Sequence, residues 1–271
     1  MEIDLDKNEL NDFYNQIKET QLIGLVDVIF VYKTHKVPCS IKINRKNLEI
    51  NINSTLTSQS GINFPCLDLL IIPGETAHIS YIEAGKHCIM EKMPQMGTFI
   101  HDFAVKLCEQ LNVKIIQLTD KSTIKCNGEN VSLSFLSAIT KGRTWYQSKG
   151  YETSNPNFNI FINQIRNFNI DEISIEVNKI KSPLVELWNQ EVHKFKEVNK
   201  ENPLILSNFV NYIWNKDCNI YVKLYPLLIQ LIPEIPKIGL LTKTLFGKKR
   251  GTLKRVHDKR VNHDIIYLNS L

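Results

Sequence analysis

The chain has 271 residues, 43% of them hydrophobic, and a formal charge of +5. That length and composition accommodate a packed core in one large or two small domains. So mild a charge does not by itself point to a nucleic-acid partner, but it is concentrated: residues 248–260 hold seven Lys or Arg and one acid.

Six cysteines, at 39, 66, 88, 108, 126 and 218, are scattered with no pair two residues apart. Zinc-ligand spacing is therefore absent, and they read as core residues of a protein in a reducing compartment. The acidic opening, residues 1–7, lacks the apolar run of a secretory leader. The most apolar stretch, residues 224–241, is interrupted by Pro226, Pro233, Glu234, Pro236 and Lys237, which excludes a membrane-spanning helix there. The expected setting is intracellular and cytoplasmic, with the nucleus as the alternative.

In chain order, residues 6–20 have helical spacing. Residues 25–32 and 40–44 have strand character, the second alternating strictly. Residues 67–72 and 78–82 form a strand pair around the turn signal Pro73-Gly74, and 86–93 read as a further strand. The N-terminal third is thus expected to be an antiparallel meander. From Phe99 the apolar residues fall at Phe99, Ile100, Phe103, Ala104, Leu107, Cys108 and Leu111, a stripe on one helix face. Residues 113–118 read as a short buried strand, and 131–140 as a helix ended by Lys141-Gly142. After Asn155 the pattern turns helical, at 158–168, at 184–198 behind the first-turn Pro183, at 204–214 and at 221–232. The expected division is a domain of residues 1–155 and a mainly helical region of residues 156–271.

One stretch carries a chemistry. A strand end, the turn Pro94-Gln95-Met96-Gly97, an amphipathic helix, a strand, a second helix and then Trp145-Tyr146 and Gly150-Tyr151 follow one another. That order resembles the acyl-CoA-binding half of the GNAT N-acetyltransferase fold, over residues 66–152. In that family a loop of pattern Arg/Gln-x-x-Gly-x-Gly/Ala opens a helix whose backbone N–H groups bind the pyrophosphate of acetyl-CoA. The physics is general, because a helix N-terminus offers unpaired donors and a positive dipole end. Gly97 stands at the first glycine, while Pro94 replaces the Arg/Gln and Phe99 the last small residue. The resemblance makes Gly97, Thr98 and Phe99 the cofactor-binding residues. Trp145-Tyr146 matches the family's aromatic-tyrosine pair, whose tyrosine often protonates the departing CoA thiolate, and Gly150-Tyr151 matches the Gly-Phe that follows it. Thr119-Asp120-Lys121-Ser122, straight after the strand, resembles variants in some eukaryotic and viral branches.

The resemblance implies an α/β fold, with a mixed, mostly antiparallel sheet and flanking helices. It implies acetyl-CoA as co-substrate and an amine acceptor attacking directly, with Tyr146 as acid. A general base belongs on the strand before the loop, where Glu83, His87 and Glu91 are candidates; alternation puts His87 and Glu91 on one face. The alternative is a scaffold without catalysis that acts through the helical region and the basic segment. There Lys248, Lys249, Arg250, Lys254 and Arg255 would contact nucleic-acid phosphates through counterion release. No aromatics interleave with them, so base stacking is not expected. No motif specifies the acceptor or the oligomeric state.

Overall fold

The computed structural model describes residues 1–53, 65–83, 88–90, 94–120, 122–231 and 240–245. A short strand, β1 (Glu2–Asp4), and a helix, α1 (Glu9–Thr20), open the chain. A run of strands follows: β2 (Gly24–Tyr32), β3 (His35–Ile43), β4 (Leu48–Ile52), β5 (Leu67–Ile72) and β6 (Thr76–Ile82). Helix α2 (Met96–Gln110) leads to β7 (Ile115–Thr119), a small hairpin of β8 (Thr123–Cys126) and β9 (Glu129–Ser132), then α3 (Leu133–Lys141) and α4 (Trp145–Ser148). After β10 (Glu152–Thr153) come α5 (Phe158–Arg166), α6 (Ile170–Val177), α7 (Leu184–Val198), α8 (Leu206–Lys216) and α9 (Cys218–Leu231). Strand β11 (Leu240–Thr244) ends the described chain.

Nine strands form one sheet in the order β1-β2-β3-β4-β5-β6-β7-β11-β10. The pairs β1/β2 and β6/β7 are parallel and the rest antiparallel. The period of two along each strand sorts the side chains by face. Val28, Phe30 and Tyr32 of β2, Val37, Cys39, Ile41 and Ile43 of β3, and Leu48, Ile50 and Ile52 of β4 are buried, and their sequence neighbours are more exposed. Against the buried face pack Leu10, Phe13 and Ile17 of α1 and the stripe of α2. The Phe103 ring meets Phe30 edge-on at 5.7 Å between centroids, and Tyr32 touches both Phe99 and Phe103. Each such ring or aliphatic side chain is worth roughly 1.5–3 kcal/mol on burial. Gln110, at the end of α2, accepts from the Leu10 backbone N–H and donates to the Leu5 carbonyl, supplying a cap that α1 lacks on its own side chains.

The fold is therefore α/β with a mixed, mostly antiparallel sheet and helices packed on it. The strand pair at Pro73-Gly74 forms as its turn residues dictate, with Gly74 at φ 76°. The spacing understates the strands. β4 alternates as cleanly as β3, and β8 and β9 are joined by Asn127-Gly128, both left-handed, the turn that suits a two-residue hairpin. Where residues 86–93 read as a strand, Ile89 and Met90 instead form a bend, with the Ile89 N–H donating to the Asn53 carbonyl; residues 86, 87 and 91–93 lie outside the described residues.

The division at residue 155 does not survive. The chain leaves the sheet after β10 and returns as β11, which inserts between β7 and β10: Leu241 is the register partner of both Leu118 and Thr153. Residues 154–239 are thus an insertion between two neighbouring strands. A second core forms around Trp188, Phe195, Phe209 and Tyr221, and it also takes in Cys126, Val131, Phe135 and Ile139. The helical core accordingly begins ahead of residue 155, at the β8–β9 hairpin. Periodicity identifies apolar faces but not which faces meet, and a two-residue strand such as β10 has no period to read.

The cysteines also depart from expectation. Cys66 pairs with Cys88 and Cys126 with Cys218, with Cα separations of 5.7 and 5.9 Å; only Cys39 and Cys108 are buried free thiols. Pairing across 22 and 92 residues of sequence leaves no local signature. It also removes the ground for a reducing compartment, since disulfides persist in oxidising surroundings.

Two local features make testable statements about stability. Gly142 ends α3 at φ +74°, where an added Cβ would run into the Arg166 guanidinium, which itself donates to the Thr140 carbonyl at 2.9 Å. Gly142→Ala combines a left-handed backbone with a clash on that guanidinium, so a thermal melt should show a loss of more than about 1 kcal/mol. Glu191 of α7 is 2% exposed and ion-paired to Lys194 at 2.8 Å and Lys216 at 2.7 Å. Burial alone would raise its pKa, but the bonds from Lys194 and Lys216 overcome this and hold the carboxyl below its ordinary value of 4.5. A depressed carboxylate stabilises the fold above the unfolded pKa and loses that contribution as pH falls through the folded one. Urea midpoints should therefore drop more steeply below about pH 4.5 in the parent protein than in Glu191→Gln.

Candidate functional site

The site lies where β6 and β7 part. Their parallel register runs from Thr76↔Ile115 to Ile79↔Leu118 and stops, although β6 continues to Ile82 and β7 to Thr119. A crevice outside the carboxyl ends of parallel strands is where open α/β sheets commonly bind ligands. Helix α2 and the short helix α4 meet through His101, and Asp120 directly follows β7.

Helix α2 begins after Gln95, which is left-handed at φ 54°. The first N–H groups of a helix have no carbonyl one turn behind. The Phe99 N–H is already used, donating to the Gln95 carbonyl at 3.1 Å, and Gly97 and Thr98, both half-buried, stand ahead of it in the first turn. The Phe99 ring turns toward the sheet, against Tyr32 and His35 at 5.4 Å each, so its bulk points away from the turn.

One turn after Gly97, His101 is 1% exposed. Its ring is boxed by Trp145, Tyr146 and Tyr151, at centroid distances of 5.4, 6.1 and 5.7 Å. Nδ1 lies 3.1 Å from Asp102 Oδ1, and Nε2 lies 3.3 Å from the Tyr151 hydroxyl. Burial pushes the His101 pKa below its usual value; Asp102 opposes the shift, and Lys243 and Lys149 reinforce it. The neutral tautomer with Nδ1–H donating to Asp102 and Nε2 accepting from Tyr151 satisfies both contacts. Asp102 in turn lies 3.9 Å from the Lys33 ammonium and 3.8 Å from that of Lys149. The ammonium of Lys243, brought in by β11, sits 5.7 Å from the Tyr151 ring centroid.

The aromatic pair is held by a capping box. The Thr144 hydroxyl accepts from the Gln147 N–H, and the Gln147 side chain accepts from the Thr144 N–H at 2.9 Å. Gly150, at φ 88°, then turns the chain so that Tyr151 returns against Tyr146, its N–H on the Tyr146 carbonyl at 3.2 Å. Tyr146 is 7% exposed. Burial, and behind it the negative charge of Asp120, drives its pKa well above the usual tyrosine value, so at neutral pH the hydroxyl is a proton donor.

Asp120 is 8% exposed. Its Oδ1 accepts from the Ser122 N–H at 3.0 Å and the Ser122 hydroxyl at 2.5 Å, whereas Oδ2 is buried with no hydrogen-bond partner. Burial raises its pKa, and Ser122 and Thr144 partly offset the shift.

Of the residues singled out in the sequence, Gly97, Thr98 and Phe99 lie in the first turn of α2, and Tyr146 in α4 meets that helix one turn later, at His101. Glu83 follows β6 and accepts from the Tyr81 hydroxyl. His87, Glu91 and the basic residues Lys248, Lys249, Arg250, Lys254 and Arg255 lie outside the described residues. His101 and Lys243 went unread, and Asp120 was named only within the stretch Thr119-Asp120-Lys121-Ser122, with no role of its own. His101 had one signal, a position four after Gly97 on a helix already rich in apolar residues; Asp120 had another, an acid directly after a buried strand.

Beside the aromatic box an open cleft of about 540 Å³ is lined mainly by polar groups, among them Arg143, Gln147, Thr153 and Asn163, with Tyr151 at its wall. Among the described residues no three His, Cys, Asp or Glu side chains are grouped to hold a metal ion, and no helix is long and apolar enough to cross a membrane. No protein-family model, curated protein or solved structure matches this chain.

Proposed function

We propose that the protein transfers an acetyl group from acetyl-CoA to an amine by direct attack, on a GNAT-like scaffold. The observation that carries this reading is that one helix links its two halves: α2 begins at the Gly97 turn and, one turn on, presses His101 against Tyr146. The parallel pairing of β6 and β7 supports the reading, since open α/β sheets commonly bind ligands at the carboxyl ends of such strands.

In this reading the N–H groups of Gly97 and Thr98 and the helix dipole hold the pyrophosphate. The amine nitrogen adds to the thioester carbonyl, and collapse of the adduct breaks the C–S bond. The sulfur leaves with the bonding pair and takes the Tyr146 proton. The raised pKa of Tyr146 suits that role, since the group stays protonated until a thiolate forms beside it.

Calorimetry with acetyl-CoA, and with free CoA for comparison, tests the reading directly. Micromolar binding is expected. No binding at millimolar ligand sinks it and favours a scaffold that acts through the helical insertion and the basic segment.

A further inference from the structure

We propose that Asp120 is the general base of this site, its free Oδ2 taking a proton from the acceptor amine. The inference rests on the acetyltransferase reading and supplies the group that reading lacks. A buried carboxylate normally has both oxygens satisfied, because an unmet one costs free energy in a low-dielectric setting. Here Oδ1 is saturated by Ser122 and Oδ2 has no partner. Asp120 also directly follows β7, and its charge bears on Tyr146. A half-satisfied carboxylate at the carboxyl end of a strand, beside a protonated phenol, has the character of an acceptor awaiting a donor. A primary amine is a donor of the right kind.

Among the described residues, the groups acting on Asp120 are the Ser122 N–H and hydroxyl, the Thr144 side chain of the α4 cap, and Tyr146. Tyr146 is the titratable one. The proton balance closes with these parts. The ammonium loses one proton to water before attack. The nitrogen adds to the carbonyl carbon and gives a second proton to Asp120 Oδ2. Cleavage of the C–S bond sends the electron pair to sulfur, which takes the Tyr146 proton, and Asp120 returns its proton to the tyrosinate. The products are an amide and CoA thiol, and both side chains end as they began.

The test is carbon-13 NMR of aspartate-labelled full-length protein, free and loaded with CoA, titrated with pH in the presence and absence of n-butylamine. A carboxyl titrating above the ordinary aspartate range should vanish in Asp120→Asn, which keeps the Ser122 bonds through its carbonyl oxygen. Saturating butylamine should move that titration down by about one pH unit or more, as an ammonium near a carboxylate does. Asp120→Asn should weaken butylamine binding about tenfold or more, with CoA affinity by calorimetry unchanged. An Asp120 titration indifferent to butylamine, or an Asn variant that binds the amine as well as the parent, overturns the proposal. Absence of CoA binding instead sinks the acetyltransferase reading, and the titration of free protein still decides whether Asp120 receives an amine.

Discussion

Replacing Cys126 and Cys218 together by Ser should lower the free energy of unfolding by roughly 4 kcal/mol, the largest stability effect expected among the changes considered. The bond joins the β8–β9 hairpin to the first residue of α9 across 92 residues of sequence. Cutting it restores to the unfolded chain nearly all the freedom of a long closed loop. Urea melts of the variant and parent give the difference. Because the hairpin and α9 share one core, the loss should appear as a lowered midpoint of a single transition. A variant as stable as the parent would mean that the two sulfurs are not bonded in the folded protein.

Tyr146→Phe carries the largest expected effect on activity. It removes one oxygen and keeps the ring that packs on Trp145, Tyr151 and His101. Turnover of acetyl-CoA should fall by about 10²-fold, the usual worth of a positioned proton donor, while acetyl-CoA affinity measured by calorimetry stays the same. The parent rate should also hold up toward alkaline pH further than an exposed tyrosine would permit, because burial delays loss of the phenolic proton. Unchanged turnover would remove Tyr146 from the mechanism and leave it as a wall of the His101 box.

The architecture was legible wherever one residue's surroundings are set by its near neighbours. Alternation marked β2 and β3, the offsets from Phe99 marked α2, and Pro73-Gly74 marked a hairpin, because strand period, helix period and turn conformation are local properties. The Gly97 turn and the Trp145-Tyr146 pair could be read for the same reason. His101, Asp120 and Lys243 could not. Each is polar in a way common on surfaces, and what distinguishes them is contact with segments distant in the chain: Lys243 reaches Tyr151 from 92 positions on, the separation between the bonded cysteines Cys126 and Cys218. The boundary at residue 155 failed on similar grounds. The sequence does turn helical there, but composition cannot reveal that the chain goes back into the sheet.

That return sets an order of events during synthesis. The ribosome makes β7 and β10 well before β11, so through the whole translation of residues 154–239 the sheet has a gap where an interior strand belongs. Pairing between β7 and β11 closes a long loop, a non-local step that comes late and slowly in folding. Until it happens, the free edge of β7 is open to strands from other chains, and Tyr151 lacks the Lys243 ammonium beside its ring. A nascent chain that stalls before residue 240 would therefore present an unsealed sheet and an incomplete site at the same moment, so that the helical insertion acts as a timer between the making of the fold and its closure.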